Sequence, residues 1–291
     1  MNDILKSIKS DQPTISFELF PPKQEVNLEK YKAKAEQIAS LKPAFISVTY
    51  GAGGGTSRFT LDIADDIQKK YDVSALAHLT CVSTPKEDID SYLKSMSDRG
   101  LKNIMALRGD IPEENTDRSK WAFQHASDLA SYIRSNADVD VIGGACYPEK
   151  HPESKNMTED IRHLYDKQAS GINFLTTQMF FDNNLLFNFL YKARENGVTI
   201  PVIPGIMPVT KAKQIERILK LSQAFLPRRF VSIVDRFGDD EKSMREAGIA
   251  YATDQIIDLY ANGINHVHIY VMNDYEVASA IINNVKDILG R

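Results

Sequence analysis

Along this chain, short runs of β-branched and apolar residues alternate with longer stretches whose apolar positions recur every three or four residues. The strand-like runs fall at residues 14–19, 45–49, 74–79, 103–107, 139–145, 172–178, 202–207 and 267–271. The helical stretches fall between them, at 28–41, 56–70, 86–99, 121–136, 158–170, 184–195, 211–221 and 242–262, with a last one at 275–289. Gly100, Gly171, Gly197 and Gly263 each stand where a helix must hand over to a strand, the position of a left-handed C-cap. Thr84-Pro85 and the segment from Asn156 to Thr158 supply N-terminal caps.

Eight buried strands, each followed by a helix, predict a parallel sheet. Eight such units in 291 residues fit a closed (β/α)8 barrel of the TIM type. A doubly wound open sheet is the rival, but it has fewer strands and a nucleotide fingerprint in its first turn; no G-x-G-x-x-G follows the first strand here. With no internal repeat, low-complexity segment or linker, one barrel domain over residues 1–291 is expected. The polar stretch 112–120 (PEENTDRSK) is the expected mobile loop.

Composition narrows the function without choosing it. Thirty-five Lys and Arg against 39 Asp and Glu give a net charge of −4, which argues against a nucleic-acid binder. The two cysteines, Cys81 and Cys146, have no metal-ligand or disulfide-framework spacing, and a reducing cytoplasm is the expected compartment. Residues 1–12 lack the apolar core of a secretory signal, and no apolar run is long enough to span a membrane.

In a barrel of this kind the chemistry collects at the C-terminal ends of the strands. The residues there are Glu18, Thr49-Tyr50-Gly51, His78, Arg108-Gly109-Asp110, Tyr147 with His151, Gln178 and Asn273. Glu18 lies in the apolar run SFELFPP, where lost hydration favours the protonated form that a general acid requires; a structural Glu paired with a cation fits the same residues. The glycine-rich turn at 51–57 is compatible with anion binding or with a plain strand-to-helix turn. Arg108 suits a phosphate, or a local salt bridge with Asp110. His78 reads as a hydrogen-bonded structural residue as readily as a ligand, and His151 as a cofactor contact or as loop packing. His266 and His268 alternate on one strand face with no third metal ligand at related spacing, so no metal site is expected. Phe180, Phe181, Phe187, Phe189 and Phe225 read as core aromatics, and 239–242 as a solvated helix start.

Seven motifs stand in order: SFELFPP at 16–22, SVTYGAGG at 47–54, AHLTC at 77–81, LRGD at 107–110, YPEKHPE at 147–153, TQMFFD at 177–182 and PGIMPV at 204–209. Together they resemble the bacterial 5,10-methylenetetrahydrofolate reductases. The resemblance implies an FAD-dependent barrel in which NAD(P)H reduces the flavin and leaves. Methylenetetrahydrofolate then takes the hydride in the same space and becomes 5-methyltetrahydrofolate, which feeds methionine synthesis. It further implies ping-pong kinetics and a homo-oligomer. Glu18 matches the family's general acid and Asp110 its carboxylate beside flavin and pterin; Gln178 and Gln214 match folate contacts. Thr49, His78, Arg108, Gly109, Tyr147, His151, Asp160 and Lys167 match positions around FAD, with Arg108 and Lys167 offsetting pyrophosphate charge. His125 stands where relatives carry a flavin-packing Tyr, and Asp274 stands where they carry an Arg, removing a cation that would meet the folate carboxylates. The adenosylmethionine-binding regulatory domain of eukaryotic relatives is not expected in this chain. The alternatives are a flavin barrel resembling proline dehydrogenase, or a silent folate- or flavin-binding subunit.

Overall fold

The computed structural model describes residues 2–50, 57–82, 84–111, 118, 121–222 and 224–291. The glycine-rich run 51–56 and all of 112–120 except Arg118 lie outside the described residues. The strands are β1 (Thr14–Leu19), β2 (Ile46–Val48), β3 (Ala75–Thr80), β4 (Asn103–Leu107), β5 (Val141–Cys146), β6 (Phe174–Thr177), β7 (Val202–Ile203), β8 (Gly205–Ile206) and β9 (His266–Ile269). Every pairing among them is parallel, in the order β7-β6-β5-β4-β3-β2-β1-β9-β8.

The expected seventh strand, 202–207, is split at Pro204. Proline has no N–H to give to a ladder, so the strand pairs with β6 before it and with β9 after it. The Pro204 carbonyl still accepts from His268 N–H at 2.9 Å. The two halves close the ring, which is the TIM-type barrel expected from the periodicity.

The described helices are α1 (Asp3–Ile8), α2 (Leu28–Ala39), α3 (Ser57–Tyr71), α4 (Lys86–Arg99), α5 (Ala126–Asn136), α6 (Met157–Ala169), α7 (Asn183–Glu195), α8 (Lys213–Ser222), α9 (Arg228–Phe237), α10 (Glu241–Ala261) and α11 (Tyr275–Asn284). Asn156 caps α6 by accepting from Glu159 N–H at 2.9 Å, and Asp240 caps α10 in the same way from Ser243 N–H. The four glycines expected after helices all have positive φ. Two helices, α1 and α9, were not expected. The stretch 121–136 becomes helical only from Ala126, and the last helix ends at Asn284 rather than 289.

Side chains alternate across each strand with period two. Ile15, Phe17, Leu19, Ile46, Val48, Ile104 and Ile142 face the helices and join the main core. Phe45, Leu76, Met105, Val141, Phe174 and Ile203 form a separate cluster at the N-terminal end of the barrel interior, packed on Ile4, Leu5 and Ile8 of α1. Thus α1 plugs that end, and fully buried Ile4 contributes about 1.5–3 kcal/mol to holding it there. Toward the C-terminal end the inward positions turn polar: Ser47, His78, Thr176 and His268 are all buried. Phe225 departs from expectation. Its ring is 55% exposed while neighbouring Ala224 and Leu226 pack inward, and its N–H is pinned to Glu149. No described helix is long and apolar enough to cross a membrane.

Candidate active site

Period two and strand register together build the polar interior. Glu18 lies opposite Ser47 in the β1–β2 ladder, and Ser16 lies opposite His268 in the β1–β9 ladder. The Ser47 hydroxyl neighbours Glu18 and lies 3.1 Å from His268 Nε2, and His78 Nε2 and His268 Nε2 stand 3.7 and 4.0 Å from Glu18 Oε2. Burial pushes the Glu18 carboxyl up to about 8, with the Ser47 hydroxyl opposing. Burial also pushes the His78 imidazole down to about 3 and that of His268 well below its ordinary value. At neutral pH the pocket therefore holds a protonated carboxyl among neutral imidazoles. The cation-paired alternative for Glu18 is not what this chain builds.

Two structural clamps fix the approach to the acid. Asn273, just beyond β9, donates to Phe20 O at 3.0 Å and accepts from Phe20 N–H at 2.9 Å, holding the chain two residues past Glu18. Tyr270 donates to Thr177 O at 2.6 Å and roofs Gly205, where a Cβ would lie 2.4 Å from its hydroxyl. Neither clamp follows from the local sequence, although Asn273 stands at an expected strand end.

Beside this pocket lies a second, charged cluster. Arg108, after β4, makes a two-point pair with Glu153 at 2.7 Å on each arm, rather than with Asp110. Asp110 is exposed, close enough to Tyr147 to help raise its phenol to about 12, though burial is the larger cause. Gly109 has φ +88°, and a Cβ there would meet Thr80 Cβ at 2.9 Å. The Tyr147 ring stands edge-on to His151 at 4.6 Å, and His151 Nδ1 accepts from Glu153 N–H. On α6, Asp160 accepts from Ser154 at 2.8 Å through one oxygen, and Lys167 donates to Ala145 O at 2.7 Å. Burial lowers the Lys167 amine below its ordinary value. Among the described residues, His78 Nε2 in the Glu18 pocket and Asp160 Oδ2 and Trp121 Nε1 nearby are buried polar atoms with no hydrogen-bond partner.

The other expected residues are placed as follows. Thr49, at the end of β2, donates its N–H to Leu19 O and accepts from Thr60. The Gln178 carbonyl accepts from Met179 N–H. Gln214 uses its carbonyl on Thr210 N–H and Lys211 N–H, both at 2.9 Å, and borders a cavity of about 180 Å³ with Lys211 and Asp274. Exposed His125 precedes α5 and gives its N–H to Asp128, so it opens a helix. Asp274 is not a free carboxylate, because Arg245 of α10 meets it with two contacts of 2.8 Å and also reaches Glu276. His266 and His268, weighed as a metal pair, have all four ring nitrogens taken by hydroxyls of Thr14, Ser16 and Ser47.

A TIM-type barrel with a protonated acid and a charged cluster at the C-terminal ends of its strands has the architecture of an enzyme. Comparison with known proteins then gives the kind: residues 3–286 match the family described as methylenetetrahydrofolate reductase, and the chain belongs to that family. It is 31% identical over 285 residues to the 5,10-methylenetetrahydrofolate reductase of Escherichia coli K12, covering 98% of this chain and 94% of that one. It is 32% identical over 296 residues to methylenetetrahydrofolate reductase (NADH) 1 of Arabidopsis thaliana, covering 97% of this chain and 50% of the relative. The chain thus spans about half the length of the plant relatives it matches. In fold it is similar to an uncharacterized Clostridium thermocellum protein that binds two copies of 5-methyl-5,6,7,8-tetrahydrofolic acid. That likeness has a TM-score of 0.65 at 18% identity and covers 99% of this chain and 98% of that one.

Proposed function

We propose that this chain reduces 5,10-methylenetetrahydrofolate to 5-methyltetrahydrofolate with NAD(P)H as donor and FAD as carrier. The observation that carries the proposal is Glu18, a carboxyl protonated at neutral pH inside the C-terminal mouth of a barrel of this family. The charged cluster suits a dinucleotide flavin. Arg108 and Lys167 supply cations, while His78 Nε2 and Asp160 Oδ2 are buried groups with no hydrogen-bond partner among the described residues. Thr49, Gly109, His125, Tyr147 and His151 complete its surroundings. FAD, when bound, supplies a carrier that takes a hydride from one substrate and gives it to the next, which makes the kinetics ping-pong.

Each residue of the chain then has a task. Glu18 gives its proton to N10 of the folate, so the bridging carbon opens to an iminium on N5, the form that accepts hydride. His78, neutral and unpaired at Nε2, is free to bond the ligand without repelling it. The Gln178 amide, its carbonyl held by Met179, keeps its NH2 for the pterin, and Asp110 faces the same ligands from the rim. Gln214 and Lys211 border the cavity that would meet the folate tail. Both cysteines are free and buried, which fits a reducing, cytoplasmic setting. The test is the visible spectrum of the purified, FAD-loaded protein under anaerobic conditions. Bleaching by NADH or NADPH followed by recovery with methylenetetrahydrofolate is expected; failure to bind FAD, or no recovery, rejects the proposal.

A further inference from the structure

In the charged cluster one carboxylate, that of Glu153, holds two arginines. Arg108 meets it with both arms of its guanidinium, Nη1 to Oε2 and Nη2 to Oε1, each at 2.7 Å. Arg118 Nη2 stands 3.7 Å from the same Oε2. Both arginines lie on the connection from β4 to α5, ten residues apart in sequence. Arg118 is anchored through its carbonyl, which accepts from Gln124 Nε2 at 2.7 Å and from Trp121 N–H at 3.3 Å. Its guanidinium lies over the Trp121 ring, 5.7 Å from the centroid. Pairing with Arg108 holds the Glu153 carboxyl below the usual carboxylate range, so it is charged at neutral pH. The Glu153 side chain is 47% exposed, while its backbone N–H is fixed separately on His151 Nδ1 at 3.1 Å. The carboxylate can therefore rotate into solvent while the loop keeps its place.

Paired in this way, Arg108 cannot offset the charge of a phosphate. A guanidinium whose fork is filled by a carboxylate has its charge balanced and both Nη groups engaged. Carboxylate and phosphoryl oxygens offer an arginine fork the same two-point face, so one can take the place of the other. Once Glu153 turns away, Arg108 and Arg118 present two positive charges, which match the two negative charges of a pyrophosphate diester. We propose that Arg118 is a second pyrophosphate-binding cation beside Arg108, and that Glu153 is the counter-ion that holds both arginines in place until the dinucleotide displaces it. The inference rests on the reading of this cluster as an FAD site. It gives Glu153 two opposed effects. The carboxylate keeps two like-charged side chains together before the ligand arrives, and it competes with the ligand for the same N–H groups. The exchange swaps one anion for another, with no proton transferred and no covalent bond broken.

Equilibrium titration of the flavin-free, full-length protein with FAD tests the exchange. Binding is read from flavin emission and from Trp121, the one tryptophan of the chain. Arg118→Ala is expected to weaken FAD binding about tenfold. Glu153→Gln keeps the shape and removes the charge, and is expected to tighten binding about threefold. A Glu153 that stays on Arg108 and orients it for the ligand predicts the opposite sign. Weaker or unchanged binding in Glu153→Gln therefore overturns the exchange, and unchanged binding in Arg118→Ala overturns the second cation. A second titration uses inorganic pyrophosphate without flavin, read from Trp121 emission. The expected order of affinity is Glu153→Gln, then wild type, then Arg118→Ala. Equal affinities, or no response even in Glu153→Gln, overturn the arginine pair. A wild type that binds no FAD rejects the proposed function instead, and the pyrophosphate titration still decides the inference.

Discussion

His78 Nε2 lies 3.7 Å from Glu18 Oε2, within ion-pair distance, yet both groups are uncharged at neutral pH. Burial acts on them in opposite senses, holding the carboxyl protonated and the imidazole neutral. Forming the ion pair would put two charges where only Ser47 and the neutral ring of His268 help to solvate them. The contact is therefore that of a neutral acid beside a neutral base, and it keeps the acidic proton available.

Reduction of the folate should follow the protonated fraction of Glu18. Its carboxyl titrates near 8, so the folate half-reaction is expected to be flat from pH 6 to 7 and to fall about tenfold per unit well above 8. Flavin reduction by NAD(P)H needs no proton from Glu18 and should lack that limb. Stopped-flow rates of the two half-reactions across pH 6–10 check this; a shared limb near 8 would contradict it.

Glu18→Gln removes the proton and keeps the shape. Flavin should remain bound and reducible, with folate reduction down by about two orders of magnitude or more. Stability moves the other way. The folded pKa of Glu18 is raised from 4.5 to about 8, so between those values the folded state holds a proton that the unfolded state has lost. The Glu18 contribution is therefore complete below about pH 4.5 and is lost as pH rises through 8. Relative to the wild type, Glu18→Gln should gain a few kcal/mol between pH 5 and pH 9, read as a widening gap in urea midpoints.

The strand–helix alternation was legible because buried parallel strands are apolar on both faces and their helices are amphipathic. Glu18 was legible for the same reason: a carboxylate inside an apolar run stands out. What stayed hidden depended on contacts distant in sequence. Helix α1 is six residues long, and only the barrel floor makes Ile4 part of a core. Helix α9 does carry Phe230, Ile233, Val234 and Phe237 at helical spacing behind Pro227, so its signal is present in the local sequence. The Arg108–Glu153 and Arg245–Asp274 pairs join residues 45 and 29 apart, and no local pattern announces them. His266 and His268 were visible as an alternating pair, but their partners on β1 and β2 follow only from register.

Gly109 should not tolerate a side chain. Its φ of +88° disfavours any L residue, and an added Cβ would lie 2.9 Å from Thr80 Cβ. Gly109→Ala is expected to cost about 1–3 kcal/mol and to displace Arg108 and Asp110 on either side. Chemical denaturation gives the first quantity, and weakened FAD affinity in titrations monitored by flavin fluorescence gives the second. Wild-type values for both would show that the turn yields without strain.

The cysteines give a test of the packing that needs no ligand. Cys81 and Cys146 are both fully buried, on strand-end segments facing the helices. Burial pushes the Cys81 thiol up to about 12 and raises that of Cys146 as well. Since the thiolate is the reactive form, two factors suppress attack, access and ionisation. Neither thiol should react with a disulfide reagent at pH 8 in the folded protein, and both should react at once in guanidinium. Labelling at an intermediate, first-order rate independent of reagent concentration would report the opening of the barrel wall itself. Because Cys146 lies in β5 and Cys81 directly follows β3, a faster rate at one of them would show which side of the barrel opens first.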